Sequence, residues 1–342
     1  MARAARSDEF DPYEVSVFHC INRCVRRCFL CGVDPLTGED FEHRKVWIEK
    51  RLEFLAAHFG IDVIGFSVLS NHFHVVLRNR PDVVATWSDE EVARRWRMLC
   101  PLRKQPDGTP QSPTQDEIQA IVSDPDRVKE LRTRLSHISW FMKMVSERVA
   151  RRANAEEDIT GRFWQGRFRG IKLADAAAIL GLMYVDLNPI RAGICDTPEQ
   201  SEHTSAKRRI DQHRNLDAHA ADWLAPLTID ELALPGPSPS SLSSRCSDKG
   251  VLPISLEDYL MLLDWTGRQV AQGTSGSVPE HLAPILIRLG IDTAHWTTLS
   301  TRFGELFCRV AGSPTTLAAA AARKGHRWYQ APGGQLLSAA AA

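Results

Sequence analysis

The chain has 342 residues, a quarter of them charged, and a formal net charge of zero. That length allows one large domain or two ordinary ones. The balanced charge excludes a global nucleic-acid signal, so any basic surface must be local. No long apolar run occurs, which argues against a membrane-spanning helix. Residues 1–6 lack the apolar stretch of a signal peptide, so a cytoplasmic protein with its eight cysteines reduced is expected.

Residues 15–22 read as a first strand, followed by basic Arg23, Arg26 and Arg27 and a loop over 31–40. A helix is predicted over 43–59, where Val46, Leu52, Leu55 and Phe59 recur at near-helical spacing and Gly60 supplies the stop. Strands follow over 61–69 and 72–77, joined at Ser70-Asn71. Residues 81–126 break this order and read as a helical insertion. A long helix over 127–153 carries the stripe Val128, Leu131, Leu135, Ile138, Met142, Val145 and Val149. A basic aromatic strand (163–173) and a helix (176–187) ended or kinked by Pro189 complete the pattern. The predicted fold is α+β: a ferredoxin-like (RRM-like) palm whose antiparallel sheet carries helices on one face. The palm is expected over 1–215, a linker rich in Pro, Ser and Gly within 216–250, a small helical accessory domain over 251–330 that could contact DNA through its basic aromatic end (Arg323, Lys324, His326, Arg327, Trp328), and a disordered tail over 331–342.

Four features could carry chemistry. His72 and His74, two apart on a strand, point to one face and could share a divalent ion; among 12 histidines such a pair also arises by chance. Tyr184 and Asn188 share a helical face, though a lone tyrosine on an apolar helix is usually core. The run Gly161-Arg162-Phe163-Trp164-Gln165-Gly166-Arg167-Phe168-Arg169-Gly170 alternates cations with aromatics. That suits phosphate contact and base stacking, and equally suits a solvated basic strand with its aromatics in a core. Cys20, Cys24, Cys28 and Cys31 invite a zinc reading, but no second Cys-x-x-Cys knuckle accompanies them, and buried thiols are the preferred reading.

Taken together, four segments resemble the single-tyrosine HUH transposase family, above all its REP-associated tyrosine transposase branch. They are FHCINRCVRRCFLCG (18–32), VLSNHFHVVLR (68–78), GRFWQGRFRG (161–170) and YVDLNPIRAG (184–193). They fall in family order within residues 13–210. The resemblance implies that His72, His74 and Asn188 hold Mg²⁺ or Mn²⁺. It also implies that Tyr184 attacks a phosphate of single-stranded, hairpin-forming DNA, leaving a 5′-phosphotyrosine and a free 3′-hydroxyl. Arg23, Arg26, Arg27, Arg162, Trp164, Gln165, Arg167, Arg169 and Lys172 are the expected DNA contacts. A monomer or homodimer is expected. The alternatives are a domesticated regulator that binds DNA or RNA on the same fold without cutting, and a zinc-stabilised interaction protein. Asp186, between Tyr184 and Asn188, is left open as a help or a hindrance to the metal.

Overall fold

The computed structural model describes residues 10–25, 30–34, 37–214, 222–229, 244–274, 276–325, 328–329 and 332–337. Arg26, Arg27, Cys28, His326, Arg327 and most of the expected linker and tail lie outside these residues.

The palm forms in the predicted order. Strand β1 (Val17–Arg23) leads to helix α1 (His43–His58), then to the hairpin β2 (Ile61–Val68) and β3 (His72–Asn79). The insertion supplies α2 (Pro81–Thr86), α3 (Asp89–Leu99) and α4 (Gln115–Val122). The stripe expected as one long helix is two, α5 (Pro125–Leu135) and α6 (Ile138–Glu156). The break falls at His137, whose backbone is extended and whose ring nitrogen accepts the Ser139 N–H to start α6. Strand β4 (Arg169–Leu173) follows.

The sheet order is β2-β3-β1-β4 with every neighbour antiparallel, the ferredoxin-like arrangement, and a short β5 (Val310–Ala311) adds a parallel edge beside β4. Strand alternation splits the side chains between two cores. Phe18, Cys20, Phe73, Val75 and Leu77 face α1 and α6. Arg44, fully buried, ties those helices together by donating to Glu156 (2.6 Å).

The opposite face is covered as well, which corrects the expectation of helices on one face alone. Ile64, Val76, Ile171 and Leu173 share a core with α7 (Ala177–Asp186) and with the C-terminal helices α10 (Leu256–Ala271), α11 (Ala283–Arg288), α12 (Trp296–Thr301) and α13 (Phe303–Leu306). The two helices between them, α8 (Asn188–Arg191) and α9 (Ser205–Arg214), continue the chain from α7. Among the described residues after 251, the apolar side chains of α10 to α13 thus pack in this shared core, and a small cluster at Val310, Leu317 and Ala320 stands apart from it. The expected linker is built in wherever it is described. Trp223 is buried against Phe66, Leu224 bridges Val63, and Arg78 donates to the carbonyls of Lys249 and Gly250. The expected tail likewise holds a short helix, α15 (Gly333–Leu337), after α14 (Pro314–Arg323), with Leu337 in the shared core.

The seat of α7 depends on Gly65 of β2. A Cβ there would lie 2.2 Å from Leu182 Cδ1 of α7. Only a bare backbone lets this helix lie close on the sheet, and α7 carries Tyr184.

Candidate active site

His72 opens β3, and His74 follows two residues on, so both project from the sheet face that α7 covers. Their rings lie 4.8 Å apart. The Asn71 side chain bonds to His72 Nδ1 at 2.5 Å. With the Asn71 carbonyl oxygen accepting, Nδ1 carries the proton and Nε2 presents its lone pair. His74 is 2% exposed, and its Nε2 is buried without a hydrogen-bond partner. An orphaned imidazole nitrogen beside a second ring nitrogen is a donor set compatible with a divalent cation.

A third histidine, His19 of β1, stands beside them. Its Nε2 is 2.8 Å from His74 Nδ1, and the two rings stack with centroids 5.1 Å apart. Burial, with Arg169 and His72 nearby, holds His19 down at about 3. Burial and Arg23 hold His72 at about 4, and burial, with His19 and His72 nearby, holds His74 well below the usual imidazole range. All three are neutral at neutral pH, the form that binds metal. Among the described residues no three His, Cys, Asp or Glu side chains converge on one cation position. His19 is therefore a neighbour of the histidine pair and not a third corner.

Tyr184 lies over this group. Its ring is 5.8 Å from His74, 5.7 Å from His19 and 5.9 Å from Phe303, and the Arg191 guanidinium sits 4.5 Å over it. The chain stays helical in φ and ψ through Leu187, so α8 continues the course of α7 and Asn188 keeps the Tyr184 face. Asn188 Nδ2 donates to the Tyr184 carbonyl (3.2 Å), which leaves the amide oxygen as the end able to meet a cation. The hydroxyl is half covered from the C-terminal side. A Cβ on Gly304 would lie 2.9 Å from it.

Asp186 does not belong to this group. It is fully buried and accepts from Tyr259 OH (2.6 Å) and Ser205 Oγ, and burial raises its pKa despite Arg209 nearby. The structure gives its carboxylate packing partners on the side of Tyr259 and Ser205.

The expected DNA contacts divide. Arg23 is exposed and pairs in register with His72. Arg169 is exposed on the histidine face and donates to the Phe307 carbonyl (3.0 Å). Arg162, Gln165 and Arg167 are exposed on the irregular run before β4, where only a strand had been expected. Trp164 is not available for stacking. It is 8% exposed, packs edge-on to Phe73 and donates Nε1 to the Ser146 carbonyl (2.8 Å). Lys172 projects from the other face of β4 and pairs with Glu14 (2.9 Å). Cys20, Cys24 and Cys31 are buried among apolar side chains, and burial pushes the Cys31 thiol well up, so zinc has no support among the described residues.

Sequence reasoning missed His19 and Arg191. Arg191 stands inside the fourth motif, one turn beyond Asn188. His19 could be found only by pairing β1 with β3.

Fold and site together define a ferredoxin-like α+β protein with a half-buried and a buried histidine side by side, the buried one facing a helix-borne tyrosine. No protein-family model matches the chain, and no curated protein does. Among solved structures the chain is similar to one described as "Structure of the REP associates tyrosine transposase bound to a REP hairpin". The TM-score is 0.36 at 10% sequence identity, over 62% of this chain and 87% of that chain. A likeness of that size does not carry function across. No helix among the described residues is long and apolar enough to cross a membrane.

Proposed function

We propose that this protein is a DNA transposase that cuts and rejoins hairpin-forming single-stranded DNA through Tyr184. The observation that carries the reading is the contact of the Tyr184 ring with His74 and His19 beneath Arg191. A tyrosine ring against neutral His74, the inner member of the His72–His74 pair, supports attack at phosphorus over the reading of a lone core tyrosine.

His72, His74 and the amide oxygen of Asn188 would hold Mg²⁺ or Mn²⁺. When bound, that ion draws charge from the scissile phosphate. The chain's own residues do the rest. The Arg191 guanidinium lies 4.5 Å over the Tyr184 ring, where it adds positive charge for the scissile phosphate. The Tyr184 hydroxyl oxygen gives up its proton to water and bonds to phosphorus, the bond from phosphorus to the 3′-oxygen breaks, and that oxygen takes a proton from water to leave as a free hydroxyl. The 5′-phosphotyrosine keeps the phosphodiester energy for rejoining. Arg23, at the histidine end of β1, and Arg169, near His19, add positive charge for the strand's phosphates.

The test is a labelled hairpin oligonucleotide in Mn²⁺, run on a denaturing gel. A covalent protein–DNA band is expected from the wild type and none from Tyr184→Phe. A band that survives Tyr184→Phe sinks the assignment.

The close cover of Tyr184 by Gly304 and Phe303 favours a second reading, a regulator that binds hairpin nucleic acid without cutting. Hairpin binding by the wild type with no adduct in Mn²⁺ would select it.

A further inference from the structure

We propose that the groove between the insertion and the palm helices is a second DNA-backbone site, holding phosphates of a strand that flanks the one at Tyr184. The second half of this statement rests on the reading of Tyr184 given above; the binding site itself does not.

The groove, of about 500 Å³, runs between α1, α6 and the loop that follows α3. Its cations are Lys50, Arg51, Lys104, Arg148, Arg151 and Arg152. Glu147 is the one acidic residue in its lining, and it is paired with Arg151. In a chain whose net charge is zero, six cations against one acid is a concentration of charge, not a sample of the average surface. Two of these cations are held in place by aromatic rings. Arg152 stacks on Trp47 at 3.7 Å, and Arg51 lies 5.1 Å over Phe54 and donates to the Met144 carbonyl (3.3 Å). Burial and the like charge of Arg148 push Arg51 down to about 10. An anionic occupant would relieve that repulsion.

Phosphates of a nucleic-acid strand suit this lining better than a carboxylate peptide. The cations come from three separate segments along an open cleft, the layout that follows a chain of charges. The groove also leads to the histidine site. Residues 161–165 run from the end of α6 to the end of β1, where Val25 N donates to Phe163 O and Gln165 N to Arg23 O. Arg162 and Gln165 are exposed along that run, and Arg23 stands beside His72. Between the groove and this run lie the acidic residues Glu156, Glu157 and Asp158, the first two paired with Arg44, and a strand passing around this end of the sheet meets Arg162, Gln165 and Arg23 beyond them.

The experiment uses full-length protein carrying Tyr184→Phe, so that binding is scored without cutting, and a fluorescent hairpin oligonucleotide with a single-stranded extension. Charge reversal at Lys50, Arg148 and Arg151 (each to Glu) removes three exposed cations. Thermal melting checks that the fold persists, and Lys50→Gln with Arg148→Gln serves as a milder pair. The expected result is at least a tenfold loss of affinity and a fall of about 3 in the slope of log affinity against log salt. An unchanged affinity and slope overturns the groove. The tyrosine reading is scored separately. Adduct formation by the otherwise wild-type protein together with an unchanged slope sinks the groove alone, whereas a lower slope with no adduct sinks the tyrosine alone.

Discussion

His19 Nε2 lies 2.8 Å from His74 Nδ1, and this contact leaves Nε2 as the nitrogen of His74 without a partner. If His74 Nδ1 donates to His19, its Nε2 keeps the lone pair, and that is the atom left buried without a partner. His19 is thus a positioning residue, doing for His74 what Asn71 does for His72.

The first prediction is that His19→Phe, which keeps the ring and removes the nitrogen, weakens Mn²⁺ binding by about 10–100-fold. Titration of chelator-stripped protein by calorimetry reads this directly. His19→Gln, which restores an acceptor, should recover part of the loss. Equal affinities in all three proteins would reduce His19 to packing.

Gly304 gives a second prediction. An alanine Cβ there would meet the Tyr184 hydroxyl oxygen at 2.9 Å and Cζ at 3.4 Å, so either the tyrosine or α13 must shift. Displacing a nucleophile by about 1 Å costs on the order of 100-fold in rate. Gly304→Ala should therefore slow adduct formation far more than it lowers the melting temperature. A normal rate would mean that α13 is not seated on Tyr184 during the reaction.

The palm was legible because its signals are local: the β-rich runs of β2 and β3 either side of Ser70-Asn71, the Gly60 stop, and the helical stripe of α1. The break between α5 and α6 was not, because Leu131, Leu135, Ile138 and Met142 keep helical spacing straight across it. Trp164 shows the limit of pattern in the site. Aromatics alternating with arginines look the same whether the rings point outward to bases or inward to Phe73. His19 is 53 positions before His72 (72 minus 19), and only the β1–β3 register brings the two strands together. The second core was hidden for the same reason. The apolar faces of α10 and α12 reveal that they are buried, but not that they are buried on the palm.

Asp186 separates packing from chemistry. Its carboxylate accepts from Tyr259 and Ser205, with Arg209 buried nearby. Asp186→Ala leaves two hydroxyls and a buried guanidinium with one partner fewer, a loss of about 3 kcal/mol or more. A lowered urea midpoint with unchanged Mn²⁺ affinity is expected. A loss of Mn²⁺ affinity at a temperature where the variant is still folded would return Asp186 to the metal site.

The histidine group also fixes a pH dependence. In an unfolded chain each imidazole titrates near 6.5, whereas in the fold His72 waits until about 4 and His19 until about 3. Between those values the unfolded state binds more protons, so stability rises with pH. The contribution is fully present above pH 6.5 and is lost as pH falls through the folded values. Each histidine adds a slope of up to about 1.4 kcal/mol per pH unit inside its window. Other groups titrate there too, so the difference between two proteins is the useful quantity. In chelator-treated samples, wild type should lose more stability between pH 7 and pH 4 than His19→Phe does. Parallel curves would mean that His19 is protonated in the folded protein well above its expected range, and its bond to His74 would then have to run the other way.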